Sequence, residues 1–426
     1  MGFLDFIVNE VLSKPAIVIG LVALVGLLAQ KKNVAQVVTG TVKTTLGFLI
    51  LGSGAGILVN ALLPLGDLLK CVIGVPGIIP TNEVVIGFAI KEYGALGAGV
   101  MALAFVVNIL IARFTPLKFI HLSGHITFFT SYLVVAILAT YLGLTGAPVV
   151  IVGAIVVGFY MAFTPWLIHG FTKGVVGDDP IALGHSSSAS ALFASLLGKW
   201  FGNKEKSIDE LSVPPSLAFV RDMTIMMALS MFIIFLVIAL LAGPANVKEI
   251  TKSSSWFMWT LMSSLNFAAG TSVMLMGVRM TIAEIVPAFK GISTKIVPNA
   301  IPALDCPVMF PYSPNAVVPG FVMSVLGGFV AMAVLYAFGY PYVIIPGIIP
   351  HFFCGATAAV YGNAWGGRRG ALLGAFFSGF ALQGLGIGLL IPATGALAQT
   401  GSTFPDPDMG FFWAIFGYAI KVISGH

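Results

Sequence analysis

Two short phrases place a glycine-histidine pair inside otherwise apolar sequence. One is Gly124-His125 in FIHLSGHITFFTS (119–131), and the other is Gly184-His185 in LGHSSSAS (183–190). A neutral imidazole offers one hydrogen-bond donor and one acceptor, and a serine hydroxyl offers both. Histidines followed by Ser186 and its neighbours therefore suit a polyhydroxylated ligand. Asp305 stands between Pro302 and Cys306-Pro307 in an apolar break. A carboxylate there can accept from ligand hydroxyls, pair with a histidine or carry a proton. Asn82 and Glu83 follow Pro80 in IIPTNEVV. Glu83 can serve the same chemistry or sit solvated at the surface. Ionisable groups at membrane depth mark functional sites, because burying them in hydrocarbon is costly.

Other chemistries lack their residues. His121 and His125 are four apart and would share a helix face, but the glutamate of HExxH is missing and no third ligand is evident. No metal and no cofactor are expected. His121 follows Lys118 and is predicted to be interfacial. Arg279 and Glu284 in GVRMTIAE, and Arg368-Arg369 in GGRRG, read as interfacial anchors. Cys71, Cys306 and Cys354 have no metal spacing and read as small packing residues. GxxxxGK[ST] and GxSxG are absent, which argues against an ATP site or a serine nucleophile. Lysines and arginines are scattered, so no nucleic-acid partner is expected.

The elements that must position these groups follow from composition. The 426 residues are 58% hydrophobic and 9% charged, with mean hydropathy +1.02. Soluble domains carry about a quarter charged residues, so lipid must cover much of this surface. Apolar runs long enough to cross a bilayer fall at 16–30, 44–65, 95–112, 119–142, 148–168, 223–241, 257–278, 317–338, 342–360, 371–391 and 411–423. That predicts an all-α integral membrane protein of about eleven spans. The first span carries no basic leader and no cleavage site, and is expected to be retained. An amino terminus outside and a carboxyl terminus in the cytoplasm satisfy the positive-inside rule. Lys31, Lys32, Lys43, Arg113, Lys118, Lys173, Lys199, Lys204, Lys206 and Arg221 then lie inside, against Lys14, Lys70, Lys91, Lys248 and Lys252 outside.

Three connections, 66–94, 170–221 and 279–316, are too apolar for free loops and too broken for spans. They are predicted to be re-entrant hairpins or half-helices lining a protein-enclosed cavity. Within the second, EKSIDELSV (205–213) reads as an amphipathic surface helix. A faint echo between 40–57 and 277–293 hints at the inverted repeats of transporters, whose sites lie at the repeat interface.

The phrases GTVKTTLGF, SGHITFF, LGHSSSAS, GVRMTIAEIVPAFKGIS, ALDCPVMFPYSPNAVVPGF and IIPGIIPHFF occur in this order. Together they resemble the ascorbate-type enzyme IIC of the bacterial phosphotransferase system, over almost the whole chain. The resemblance implies a single IIC membrane domain over 1–426, with no IIA or IIB domain, acting as a homodimeric permease of the bacterial cytoplasmic membrane. It implies elevator-like movement of a substrate-carrying core, and IIB and IIA partners that phosphorylate the sugar, with no phosphorylated residue in this chain. His125, His185 and Asp305 would line the sugar site, with Asn82 and Ser186 alongside. Members closest to the ascorbate carriers have glutamines soon after each histidine. Here Phe129 and Ser186-Ser187-Ser188 stand in those places. The implied substrate is therefore L-ascorbate or a related sugar acid, pentose or alditol. On the residues alone, an ion-coupled secondary transporter of a small polyhydroxylated solute is the alternative.

Overall fold

A computed structural model describes residues 15–74, 77–178, 181–210 and 222–425. Its helices are α1 (Pro15–Ala29), α2 (Val34–Ile73), α3 (Asn82–Phe114), α4 (Gly124–Leu142), α5 (Gly146–Val176), α6 (Ser188–Phe201), α7 (Met223–Ala242), α8 (Pro244–Thr251), α9 (Trp256–Ile296), α10 (Val317–Ala337), α11 (Ile348–Phe377), α12 (Gly386–Leu390) and α13 (Ala414–Ile423). Wide π turns lead into α12 and α13. Short strands lie between helices: β1 (Gly77–Ile78), β2 (Phe119–His121), β3 (Ala182–Leu183), β4 (Ile301–Leu304) and β5 (Val343–Ile344).

Six helical runs among the described residues are long and apolar enough to cross a bilayer. The α7–α8 pair, bent by 110°, makes a seventh if it is counted as one span. The chain is a multi-pass membrane protein. Every one of the eleven segments predicted above overlaps a helix, but the boundaries change. The 342–360 and 371–391 segments fuse into one run, Ile348–Ala393. It is broken at Gly366 and Gly367, where Gly367 has φ 59° and favours glycine.

The expectation of an all-helical molecule needs one correction. Each of the three unusual connections contains a strand, and the strands pair in parallel. β2 and β3 flank β4, while β1 pairs with β5. Backbone groups at broken helices must find partners where water is scarce, and these ladders supply them. Leu122 N–H donates to Ala303 O at 2.9 Å, and Gly184 N–H donates to Leu304 O at 2.7 Å. The EKSIDELSV stretch also differs from its predicted surface helix. Ile208–Glu210 forms a 3-10 turn, and residues 211–213 lie outside the described residues, as does Arg221. Asp209 accepts from the Ser313 hydroxyl (2.6 Å), the Asn315 amide N–H (3.0 Å) and Asn363 Nδ2 (2.9 Å). A carboxylate that gathers three donors is an anchor for the broken segment after β4.

The chain repeats one order of elements. A helix of 40 residues (α2), then β1, α3, β2 and α4, is matched by a helix of 41 residues (α9), then β4, α10, β5 and α11. The first strand of each half pairs with the second strand of the other, β1 with β5 and β4 with β2. Residues 402–403 lie beside the start of α3, through Thr81 N–H to Thr403 O at 2.9 Å, much as β3 lies beside β4. The 40–57 and 277–293 echo falls on the two long helices. These pack together so closely that a Cβ on Gly270 would meet Ile57 Cγ2 at 2.9 Å.

Burial positions the site. Residues 126–138 of α4 are buried without interruption, so this apolar helix is surrounded by others. Its neighbour α3 breaks at Gly94 (φ 36°), and the Tyr132 hydroxyl of α4 donates to Gly94 O at 2.8 Å. That bond satisfies a carbonyl exposed by the break and fixes α3 against α4.

Candidate functional site

The parallel strands deliver the chemistry. β2, β4 and β3 lie side by side, so the residues just past their ends emerge together. His125 follows β2 on the first turn of α4, Asp305 follows β4, and His185 follows β3. Gly184 makes this approach possible, since a Cβ there would meet Ala303 O at 2.5 Å. His125 Nε2 stands 3.7 Å from Asp305 Oδ2, and His185 Nε2 stands 3.6 Å from Asp305 Oδ1. Asp305 Oδ1 also accepts the Cys306 amide at 2.7 Å.

A cavity of about 150 Å³ opens in front of this triad. Its wall includes Asn82 and Glu83 at the start of α3, Phe129 one turn beyond His125, and Asp406. Pro350 and Phe353 close the side formed by α11. Phe129 is 3% exposed and meets the His125 ring edge-on, with centroids 6.0 Å apart. Several helices thus begin at the cavity, and their unpaired amides and positive dipole ends offset the carboxylates of Glu83, Asp305 and Asp406.

The wall has unmet hydrogen-bonding capacity. Asn82 Nδ2 donates to Asp406 Oδ2 at 3.1 Å, while Asn82 Oδ1 is buried with no partner. The Nδ1 atom of His125 is also buried without one, although buried polar groups are ordinarily paired. Ser186 takes another part. Its hydroxyl donates to Asp406 Oδ2 at 2.5 Å, so it holds Asp406 from behind and is not on the cavity wall.

Residues 10–408 match the EIIC-GAT model, described as the PTS system sugar-specific permease component. The chain belongs to this family. A curated relative from Mycoplasma pneumoniae (strain ATCC 29342 / M129 / Subtype 1), the ascorbate-specific PTS system EIIC component, is 28% identical to this permease-family chain. The alignment covers 86% of the chain and 63% of the relative, so the chain spans less than two thirds of that protein's length.

Three readings of this EIIC-GAT chain change with the geometry. His121 is not interfacial: β2 pairs with β4 and turns the ring inward, fully buried, with its centroid 6.5 Å from that of Tyr160. His121 is not part of any metal-type cluster among the described residues, whereas His125 meets two other candidate ligands, His185 and Asp305, supplied by distant segments. Arg279 borders the cavity, while Arg368 Nη2 lies 3.9 Å from Glu210 Oε2; the Glu284 side chain is outside the described residues.

Asp406 and Asp408 are the site residues that sequence reasoning missed. Asp408 is fully buried and accepts from the Tyr160 hydroxyl at 2.7 Å and the Ala189 amide at 2.6 Å. The signal was present in STFPDPDMGFF, where two carboxylates enter the last apolar run. The cost of burying charge would have marked both.

Proposed function

We propose that this chain is the membrane permease component of a phosphotransferase-system sugar uptake complex. It moves L-ascorbate or a related sugar acid, pentose or alditol across the bacterial cytoplasmic membrane. A separate IIB protein, recharged through IIA, then phosphorylates the sugar. The observation that carries the reading is the His125–Asp305–His185 triad, facing a cavity whose wall also holds Asn82, Glu83, Arg279 and Asp406. Two imidazoles and several carboxylates, each with capacity left over, recognise a ligand dense in hydroxyls. Phe129 covers the apolar face of the sugar.

The working form is a homodimer of single-domain IIC chains with eleven crossings, an outside amino terminus and a cytoplasmic carboxyl terminus. The two matched halves enclose the site, as alternating access by an elevator-like core requires. The test is uptake into membrane vesicles. Transport that needs phosphoenolpyruvate and the soluble carrier proteins, and that delivers phosphorylated sugar, supports this reading. Accumulation of unmodified sugar driven by a pH gradient overturns it in favour of an ion-coupled transporter. Calorimetry gives the matching test of the site. His125→Ala, His185→Ala and Asp305→Asn each abolish sugar binding while the purified protein elutes unchanged on gel filtration. Unchanged affinity in all three overturns the assignment.

A further inference from the structure

The triad has a second chemistry. One ring nitrogen each of His125 and His185 and one Asp305 carboxylate oxygen all lie within 4.8 Å of one another. We propose that these three residues reversibly bind a divalent transition-metal ion of the zinc class, in the place the sugar would take. Zinc is held tetrahedrally by imidazole nitrogen and carboxylate oxygen at about 2.0–2.2 Å. Neighbouring ligands in such a tetrahedron stand roughly 3.3–3.5 Å apart. The histidines stand 3.7 and 3.6 Å from the two different oxygens of Asp305, and the full set of three ligand atoms lies within 4.8 Å, so the site contracts by up to about an ångström around the ion. The fourth position faces the cavity and is free for water, as in open zinc sites.

The ligand types set the selectivity. Magnesium and calcium take shells of oxygen ligands, six or more in number. Here Asp305 is the only carboxylate in the cluster, and Asp406 Oδ2 is already engaged by Asn82 and Ser186. On the same wall the carboxylates of Glu83 and Asp406 favour a cation and the Arg279 guanidinium opposes it, so the ligand atoms and not the surrounding field decide binding.

The surroundings set the strength. A resident zinc histidine donates its other ring nitrogen to an acceptor, and losing that partner costs about 10–100-fold in affinity. His125 Nδ1 has none. The ion therefore exchanges readily and acts as an inhibitor that competes with the sugar, not as a fixed cofactor.

The test uses the full chain, purified in detergent, stripped with chelator and free of sugar, so its outcome is independent of the transport reading above. Zinc chloride titrated by calorimetry is expected to bind at one site per chain, with magnesium chloride silent. Cobalt(II) is expected to develop the visible bands of tetrahedral coordination. His125→Ala, His185→Ala and Asp305→Asn each weaken zinc binding more than ~10-fold and erase the cobalt bands. His185→Asn serves as a second variant if the alanine form fails to elute as folded protein. Absence of saturable zinc binding, or binding unchanged in the His185 and Asp305 variants, overturns the site. In vesicles with measurable uptake, zinc is expected to raise the apparent KM and leave the maximal rate unchanged. A fall in maximal rate at constant KM overturns the competition.

Discussion

The Asp408 carboxylate accepts the Ala189 amide at 2.6 Å. The two residues are 219 positions apart, yet this is a helix cap supplied in trans. An N-terminal helix amide has no partner in its own helix, and a carboxylate is the preferred group to meet it. The bond ties the end of the chain to α6, immediately after the His185 loop. Tyr160 of α5 donates to the same carboxylate. Asp408→Ala strands both buried donors, and each orphaned group costs about 1–3 kcal/mol. Asp408→Asn keeps a carbonyl oxygen for Ala189 and is expected to cost less. Thermal unfolding of the purified variants orders them wild type, Asn, Ala. An alanine variant that melts with the wild type would remove the cap from the account.

Gly184→Ala tests whether strand contact sets the triad. The added Cβ meets Ala303 O at 2.5 Å and the Ala303 side chain at 2.8 Å. Backbone on the far side cannot rotate away, so β3 must separate from β4. Overpacking of this kind costs about 1–3 kcal/mol, and it carries His185 away from Asp305. The expected result is a lower melting temperature together with weakened sugar binding. Gly170→Ala is the control, because its Cβ would meet nothing within 4 Å and, like Gly184, its backbone is outside the left-handed region. A Gly170 variant that loses sugar binding as severely as the Gly184 variant would show that the clash with Ala303 is not the cause.

Much of this was legible because apolar runs and misplaced polar residues are local signals. His125, His185, Asp305 and Asn82 stood out one by one against their surroundings. The pairing that joins them did not, because strands of two to four residues carry no usable periodicity. Their partners are also more than a hundred residues away in the case of β4. His121 shows the same limit. Its neighbour Lys118 suggested an interface, and only the folded chain shows His121 fully buried. Asp406 and Asp408 were missed for another reason: they precede the last apolar run among prolines, where a solvated turn is the ordinary reading.

Asp209→Ala is expected to loosen the broken segment after β4. The carboxylate holds Ser313, the Asn315 amide and Asn363, which belong to two separate stretches of chain. Removing it leaves part-buried donors without an acceptor, at about 1–3 kcal/mol for the most enclosed of them. Asp209→Asn keeps one accepting oxygen, replaces the other with an amide that can only donate, and should recover part of the loss. The readout is the melting temperature, with limited proteolysis mapping cleavage to residues 305–316. Intact resistance to protease in the alanine variant would mean that the segment is held by other contacts.

Phe129→Gln asks whether one position helps to choose the substrate. Phe129 lies on the cavity wall, four residues after His125 and therefore on the same face of α4. Its ring can cover a sugar face but offers no hydrogen bond to a hydroxyl. A glutamine amide there would present both a donor and an acceptor beside the His125 imidazole, as in the chains resembling ascorbate carriers. A net hydrogen bond contributes about 0.5–1.5 kcal/mol, or roughly 2–10-fold in affinity. L-ascorbate binding, measured by calorimetry, is expected to strengthen within that range in Phe129→Gln. The same variant loses apolar contact, so its melting temperature is expected to fall slightly. Phe129→Leu separates the two effects, since it keeps an apolar group and adds no amide. If both variants bind ascorbate equally, the amide does not select the ligand, and the choice rests with other groups on the cavity wall such as Asn82 and Asp406.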